Sequence, residues 1–416
     1  MHVLGVVCAL TAGAWLGGAE APTKLVTAGF SPLAISLCMV LGVFVARWTV
    51  PTIFKGTTYI FQDLKEKPHL IIWAILAGSL WAVANTLTIF AIRDVGLAIA
   101  FPLWNINCLV GIFWGWLFFH ELKGAGAKNW TKVVGGAVAI VVSTIMLSTA
   151  SVQSSIVSSH RAIPGVVAAL GAGLMWGTMY VPYRKAYLTG MNPLSFVTIF
   201  TFGELGTMSL LAVTLHGNGT PLLVELQALR PSMLWLFLGG FCWVIGDLFQ
   251  QYATKYVGIS RAIPLSNTNQ LWGLAWGALV FGEFAHVNPS TQILVFTASA
   301  IMILGAFAIS SASVPVGERA SCLRAITREC SRYRMELAQT IDVYDGNDST
   351  SKQDQKRPWW DFLILLAAVA IFAWLAVYVE RPPLAMDLTF TVILSVILLL
   401  LLFGCGWFLW KRTRFA

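Results

Sequence analysis

Four asparagines, Asn105, Asn107, Asn267 and Asn269, stand inside apolar runs where a chain rarely places amides. The runs are AFPLWNINCLVGIFWGWLFFHE (100–121) and AIPLSNTNQLWGLAWGALVFGE (262–283), and each carries a proline three residues ahead of its first asparagine. Pro102 and Pro264 each remove a backbone donor and release a carbonyl one turn earlier, which kinks or breaks a helix. A primary amide beside such a break offers two donors and an acceptor, a set that matches the hydroxyls of a polar, uncharged solute. The competing use is hydrogen bonding between helices, worth about 0.6 kcal/mol per pair in membranes. Four amides at matched positions beside matched prolines favour binding. Trp104, Trp15 and Trp176, next to these runs or in glycine-flanked segments, are candidate aromatic walls, and Asn85 and Gln250 are further polar candidates.

Two carboxylates fall deep inside apolar segments, Glu204 and Asp247. A charge at the middle of a membrane helix costs about 2.5–3.5 kcal/mol on insertion scales and faces a cavity or a partner. Gln250 and Gln251 follow Asp247 at i+3 and i+4 and extend one polar face. Asp247 is the first candidate to bind a coupling ion, H⁺ or Na⁺, and Glu204 the second. Glu20, Glu121 and Glu283 sit at segment ends, where water is expected to reach them. The sequence holds no phosphate loop, metal-spaced His/Glu set or nucleophile elbow, so neither an enzyme nor a cofactor other than a coupling ion is expected. The seven cysteines show no C-x-x-C spacing and read as packing residues.

The elements that must position these residues are membrane helices. Of 416 residues, 57% are hydrophobic and 11% charged, with mean hydropathy +0.74, well outside the range of soluble domains. Lipid cannot satisfy open backbone groups, so apolar segments of this length are helices. Twelve are expected, at 2–21, 31–48, 70–91, 96–119, 131–149, 163–182, 194–215, 232–253, 258–282, 291–311, 359–379 and 388–410. Ala19-Glu20-Ala21 resembles a cleavage site, but no basic run precedes it, and the first segment reads as a helix. With both termini cytoplasmic, all of the 27 Lys and Arg except Lys24, Arg93, Arg161, Arg230 and Arg381 fall on the inner side, Arg47 among them. That asymmetry accounts for the +8 net charge without a nucleic-acid partner.

The chain is a duplication. A shift of 162 superposes 71–121 on 233–283, bringing Gly78 onto Gly240, Trp81 onto Trp243, Asn85 onto Asp247, Asn105 onto Asn267 and Glu121 onto Glu283, while a shift of 160 places Gly13 and Gly17 on Gly173 and Gly177. Five crossings per copy is an odd number, so the second copy must enter from the opposite face. The expected architecture is an all-α integral membrane protein with inverted five-helix halves, 1–150 and 160–312, a cytoplasmic segment 313–358 and a two-helix extension 359–416. Inverted halves are a recurring design of secondary transporters with a central site. The G-x-x-x-G spacings at 13–17, 111–115, 173–177 and 273–277 read as packing seams.

With its stretch GSLWAVANTLTIFAIRDVGLAIAFPLWNINCLVGIFWGWLFFHE, the chain resembles the drug/metabolite transporter superfamily, and within it the glucose/ribose uptake branch, over about residues 1–312. The resemblance implies alternating-access uptake of a sugar across the cell's cytoplasmic membrane, driven by an ion gradient, and transfers no site residues. Related branches move ureides, nucleotide sugars and drugs, which leaves an exporter of amphipathic metabolites as the alternative and a membrane sensor as the remaining class. The segment after 312 departs from that pattern. There Leu323, Ile326, Cys330, Tyr333 and Leu337 recur at helical spacing opposite Arg324, Arg328 and Arg332, as in a helix lying on an anionic membrane surface; 345–357 is a linker by composition. The two helices that follow read as anchoring, regulatory or contact elements between copies of the chain.

Overall fold

The computed structural model describes residues 1–19, 21–22, 25–26, 30–95, 103–151, 162–216, 221–282, 288–312, 316–345, 357–380 and 386–415. Pro102, Glu20, Glu283 and most of the 345–357 linker lie outside them. Within them the regular structure is helical throughout. The first half comprises α1 (His2–Gly18), α2 (Pro32–Lys55), the short α3 (Thr58–Glu66), α4 (Ile71–Val95), α5 (Asn107–Phe119) and α6 (Gly136–Ser151), the last entered through a π-helical turn, Thr131–Gly135. The second comprises α7 (Ala162–Leu188), α8 (Pro193–Leu215), α9 (Leu222–Ala228), α10 (Met233–Val257), α11 (Ile259–Ser266), α12 (Asn269–Ala275) and α13 (Pro289–Ser310). After them come α14 (Val316–Tyr333), α15 (Leu337–Tyr344), α16 (Trp359–Tyr378) and α17 (Leu388–Thr413). Among the described residues nine helices are long and apolar enough to cross a membrane, and α1 and α5 are shorter apolar helices.

Helix starts follow local chemistry. Ser31-Pro32 and Asn192-Pro193 each place a capping oxygen ahead of a proline whose missing N–H would have been an orphan, and the caps accept from Ala34 N at 3.2 Å and Leu194 N at 2.9 Å. The expected span 258–282 is not continuous. It breaks after Ser266, between α11 and α12, while Pro264 itself stays inside α11.

Helices of the two halves interlock in matched couples. α1 packs on α10 as α4 packs on α7; α2 packs on α10 as α4 packs on α8; α1 packs on α12 as α7 packs on α5. Glycines fix the closest crossings. A Cβ on Gly78 or Gly203 would lie within 3.0 Å of a backbone carbonyl on the facing helix, Phe200 O or Ile75 O, and one on Gly42 or Gly240 would meet Phe237 O or Met39 O. Such contacts replace the hydrophobic drive that lipid removes.

The extension clamps onto the core. The carboxylate of Asp361, at the start of α16, accepts from Thr57 Oγ1 at 2.6 Å, and Cys8 and Cys405 bring α1 and α17 together with sulfurs 3.7 Å apart.

Candidate functional site: a buried charge cluster beside two helix breaks

α2 runs on past the expected boundary at 48 to Lys55 and carries Arg47 into the core, where its side chain has no exposure. Arg47 therefore does not belong with the loop charges. The apolar residues after it, Trp48 to Phe54, were the signal that the span continues. Its Nε donates to Glu204 Oε2 on α8 at 3.1 Å, and its Nη1 stands 2.9 Å from Asp247 Oδ2 on α10. The guanidinium also lies over the Phe200 ring at 4.2 Å, a cation–π contact. Asp247 Oδ2 accepts in addition from Gln251 Nε2 at 2.9 Å, and the Tyr187 hydroxyl on α7 donates to Gln251 Oε1. Four helices thus converge on one arginine, and two carboxylates share it. The other oxygen of Glu204, Oε1, makes no hydrogen bond. Beside the cluster, the aligned tryptophans Trp81 and Trp243 meet with ring centroids 4.9 Å apart.

At the breaks, Asn267 Nδ2 donates to Asn107 Oδ1 at 2.9 Å, so amides from the two halves bond to each other. Asn105 is buried, and its amide nitrogen has no hydrogen-bond partner. Asn269 opens α12, and its side chain accepts from Gln270 Nε2 at 3.4 Å. The expected glycine seams cradle the breaks: a Cβ on Gly13 would meet Thr268 Oγ1 at 2.6 Å, and one on Gly173 would meet Trp104 O at 2.7 Å. Trp104 and Trp176 pack edge to face at 5.8 Å. Other candidates are committed elsewhere. Trp15 Nε1 donates to Leu398 O of α17 at 3.1 Å, and Asn85 Nδ2 donates to Ser36 Oγ at 2.9 Å. Gln250, by contrast, is fully buried on α10 with neither Nε2 nor Oε1 hydrogen-bonded. The structure thus joins Asp247 to Glu204 through Arg47 and Asn107 to Asn267 directly.

Glu121 differs from expectation as well. It is 1% exposed and accepts from Ile259 N at 3.0 Å and Ser260 N at 2.8 Å, capping α11. Water does not reach it because the orphan donors of a helix start and Arg184, 3.5 Å away, take its place. On α14, Ile326 and Cys330 are buried against Leu188 and Phe119. These two residues of its apolar face cover the end of α7, whereas Leu323 is exposed.

The fold and this charged seam define a multi-pass membrane protein. Residues 27–150 and 167–326 match the family described as sugar transport protein, and the chain belongs to that family. It is similar to a protein named for sugar uptake in Lactobacillus johnsonii, 34% identical over 88 residues, which is 20% of this chain and 30% of that one. A Streptococcus pyogenes serotype M1 protein, also named for sugar uptake, is 35% identical over 131 residues, 28% of this chain and 44% of its own length. One from Latilactobacillus sakei, named for ribose uptake, is 27% identical over 133 residues, 32% and 41% respectively. The matched stretches span less than half of each of these relatives.

Proposed function

We propose that the chain is a permease that carries a monosaccharide across the cytoplasmic membrane by alternating access. The family match over both halves is the observation that carries this reading. Matched couples of helices support a mechanism in which the halves, of opposite orientation, exchange packing partners and present a central site to each side in turn. Asn105, with its unpartnered amide nitrogen, is the leading contact for sugar hydroxyls, and Asn107, Asn267 and Asn269 form the breaks that bring backbone and amide groups to the same depth. The end of the bundle that holds Arg184, Lys255 and α14–α15 faces the cytoplasm, together with both termini.

Ion coupling resides in the Arg47 cluster. One guanidinium facing two carboxylates leaves one negative charge in excess, and a bound H⁺ or Na⁺ balances it. Binding of that ion releases Arg47 from one acid to the other, which shifts α8 against α10. Asp247→Asn reproduces the neutral Asn85 of the first half at nearly constant volume. In vesicles given a proton or Na⁺ gradient the parent concentrates labelled monosaccharide, whereas Asp247→Asn exchanges it without concentrating it. If Asp247→Asn concentrates the sugar with the parent's ion dependence, coupling at this carboxylate is refuted.

A further inference from the structure

The segment after the two halves, expected to leave the family pattern at 312 but matching it to residue 326, covers the end of the bundle where they meet. Both carboxylate oxygens of Glu318 on α14 accept from Arg261, Nη1 at 2.9 Å and Nη2 at 3.0 Å, and Arg261 belongs to α11 of the second half and has no exposure. Glu318 Oε2 also accepts from Leu122 N at 2.8 Å, immediately after α5 of the first half. One carboxylate thus holds both broken helices at their ends.

The rest of the hairpin repeats this bridging. On α15, Val343 O accepts from Lys255 Nζ at 2.9 Å at the end of α10, and the Tyr344 ring lies 5.7 Å from the Arg184 guanidinium. On α14, Glu329 pairs with Lys185, and Tyr333 stacks on His69 at 3.6 Å just ahead of α4. Underneath lies the Glu121 cap on α11, and Gly258, at φ +81°, leaves no room for a Cβ against that carboxylate. Ends of α4, α5, α7, α10 and α11 are therefore tied to a single pair of short helices.

We infer that α14–α15 is a latch: it staples the two halves together at this end, and the core opens there only when Glu318 lets go. The inference rests on the alternating-access reading proposed above. α5 and α11 pack on each other directly, so a path to this side requires them to part, and Glu318 bonds to both flanks of that contact. A buried bidentate pair is a discrete fastening, because without Glu318 the guanidinium of Arg261 keeps Nη1 on Val257 O at 3.1 Å but loses the partner of Nη2. The latch therefore sets the population of the form open to this side.

Ser260, with no exposure and directly beneath the Glu121 cap, reports that opening. Ser260→Cys is placed in the full-length chain in detergent, and maleimide labelling of the peptide bearing residue 260 is followed by mass spectrometry. Glu318→Gln keeps the shape and the acceptor for Leu122 N but weakens the pairing with Arg261, and it is expected to speed labelling about tenfold by raising the open population. Glu329→Gln, at the Lys185 contact farther along α14, is expected to speed it about twofold to threefold by the same shift and serves if Glu318→Gln does not fold. Labelling at the parent rate in a monodisperse Glu318→Gln sample, or in Glu329→Gln where the first does not fold, overturns the latch. Because the assay needs no substrate, a faster rate in a protein that moves no sugar upholds the latch and fails the permease reading alone.

Discussion

Replacing Arg47 by Met removes the cation on which Glu204 and Asp247 both depend. All three side chains are 0–2% exposed, so water does not take the place of the lost partner. Breaking a buried pair from one side costs about 3–5 kcal/mol, and with two acids stranded the upper half of that range is expected. Arg47→Lys should fall between parent and Arg47→Met, because an ammonium reaches one of the two carboxylates while the guanidinium fork reaches Glu204 Oε2 at 3.1 Å and Asp247 Oδ2 at 2.9 Å together. The triple variant Arg47→Met, Glu204→Gln, Asp247→Asn deletes the charges with little change of volume and should recover most of the loss. The assay is heat unfolding in detergent micelles, followed by the fraction remaining monodisperse on size exclusion. A parental midpoint for Arg47→Met, or a triple variant no more stable than Arg47→Met, would refute the claim that the cluster is held by charge balance.

Asn105→Ala should raise the half-saturation constant for sugar without altering the unfolding midpoint, whereas Asn267→Ala should lower the midpoint, since it strands Asn107 Oδ1; losing one buried partner costs about 1–3 kcal/mol. Identical behaviour of the two variants in both measurements would contradict the division between an amide nitrogen without a partner, on Asn105, and a bonded one, on Asn267. Gly78→Ala should abolish monodisperse expression, because its Cβ would lie within 3.0 Å of Phe200 O, while Gly404→Ala, with nothing within 4 Å, should express as the parent does; equal yields would refute the glycine seam.

Periodicity and composition made the membrane class and all-helical fold legible, because lipid leaves the backbone one economical solution. The duplication pointed to matched glycines, and those glycines turn out to mark the closest helix crossings. Ion-pair partnership was not legible. Glu204 and Asp247 were visible as costly charges, but Arg47 lies 157 residues from one and farther from the other, and no local signal joins them. The run from Trp48 to Phe54 marked Arg47 as intramembrane, yet the count of basic residues by loop absorbed it. Glu121 shows the same limit. Its position at a helix end suggested water, whereas what surrounds it is the start of α11, brought there by the fold. The amphipathic pattern of 323–337 marked a helix with an apolar face, but that helix ends at Tyr333 and Leu337 opens α15 beyond Arg334 at φ +54°, and a pattern of that kind does not specify whether lipid or protein covers it.

The most direct test of the permease reading is counterflow. Vesicles containing the reconstituted protein are preloaded with an unlabelled monosaccharide and diluted into tracer amounts of the same labelled sugar, with no ion gradient imposed. The account predicts a transient overshoot of label that saturates with sugar concentration, discriminates between D- and L-enantiomers, and is absent from protein-free vesicles. Lack of any overshoot with glucose, ribose and their common epimers, from protein that is folded and inserted, would contradict it.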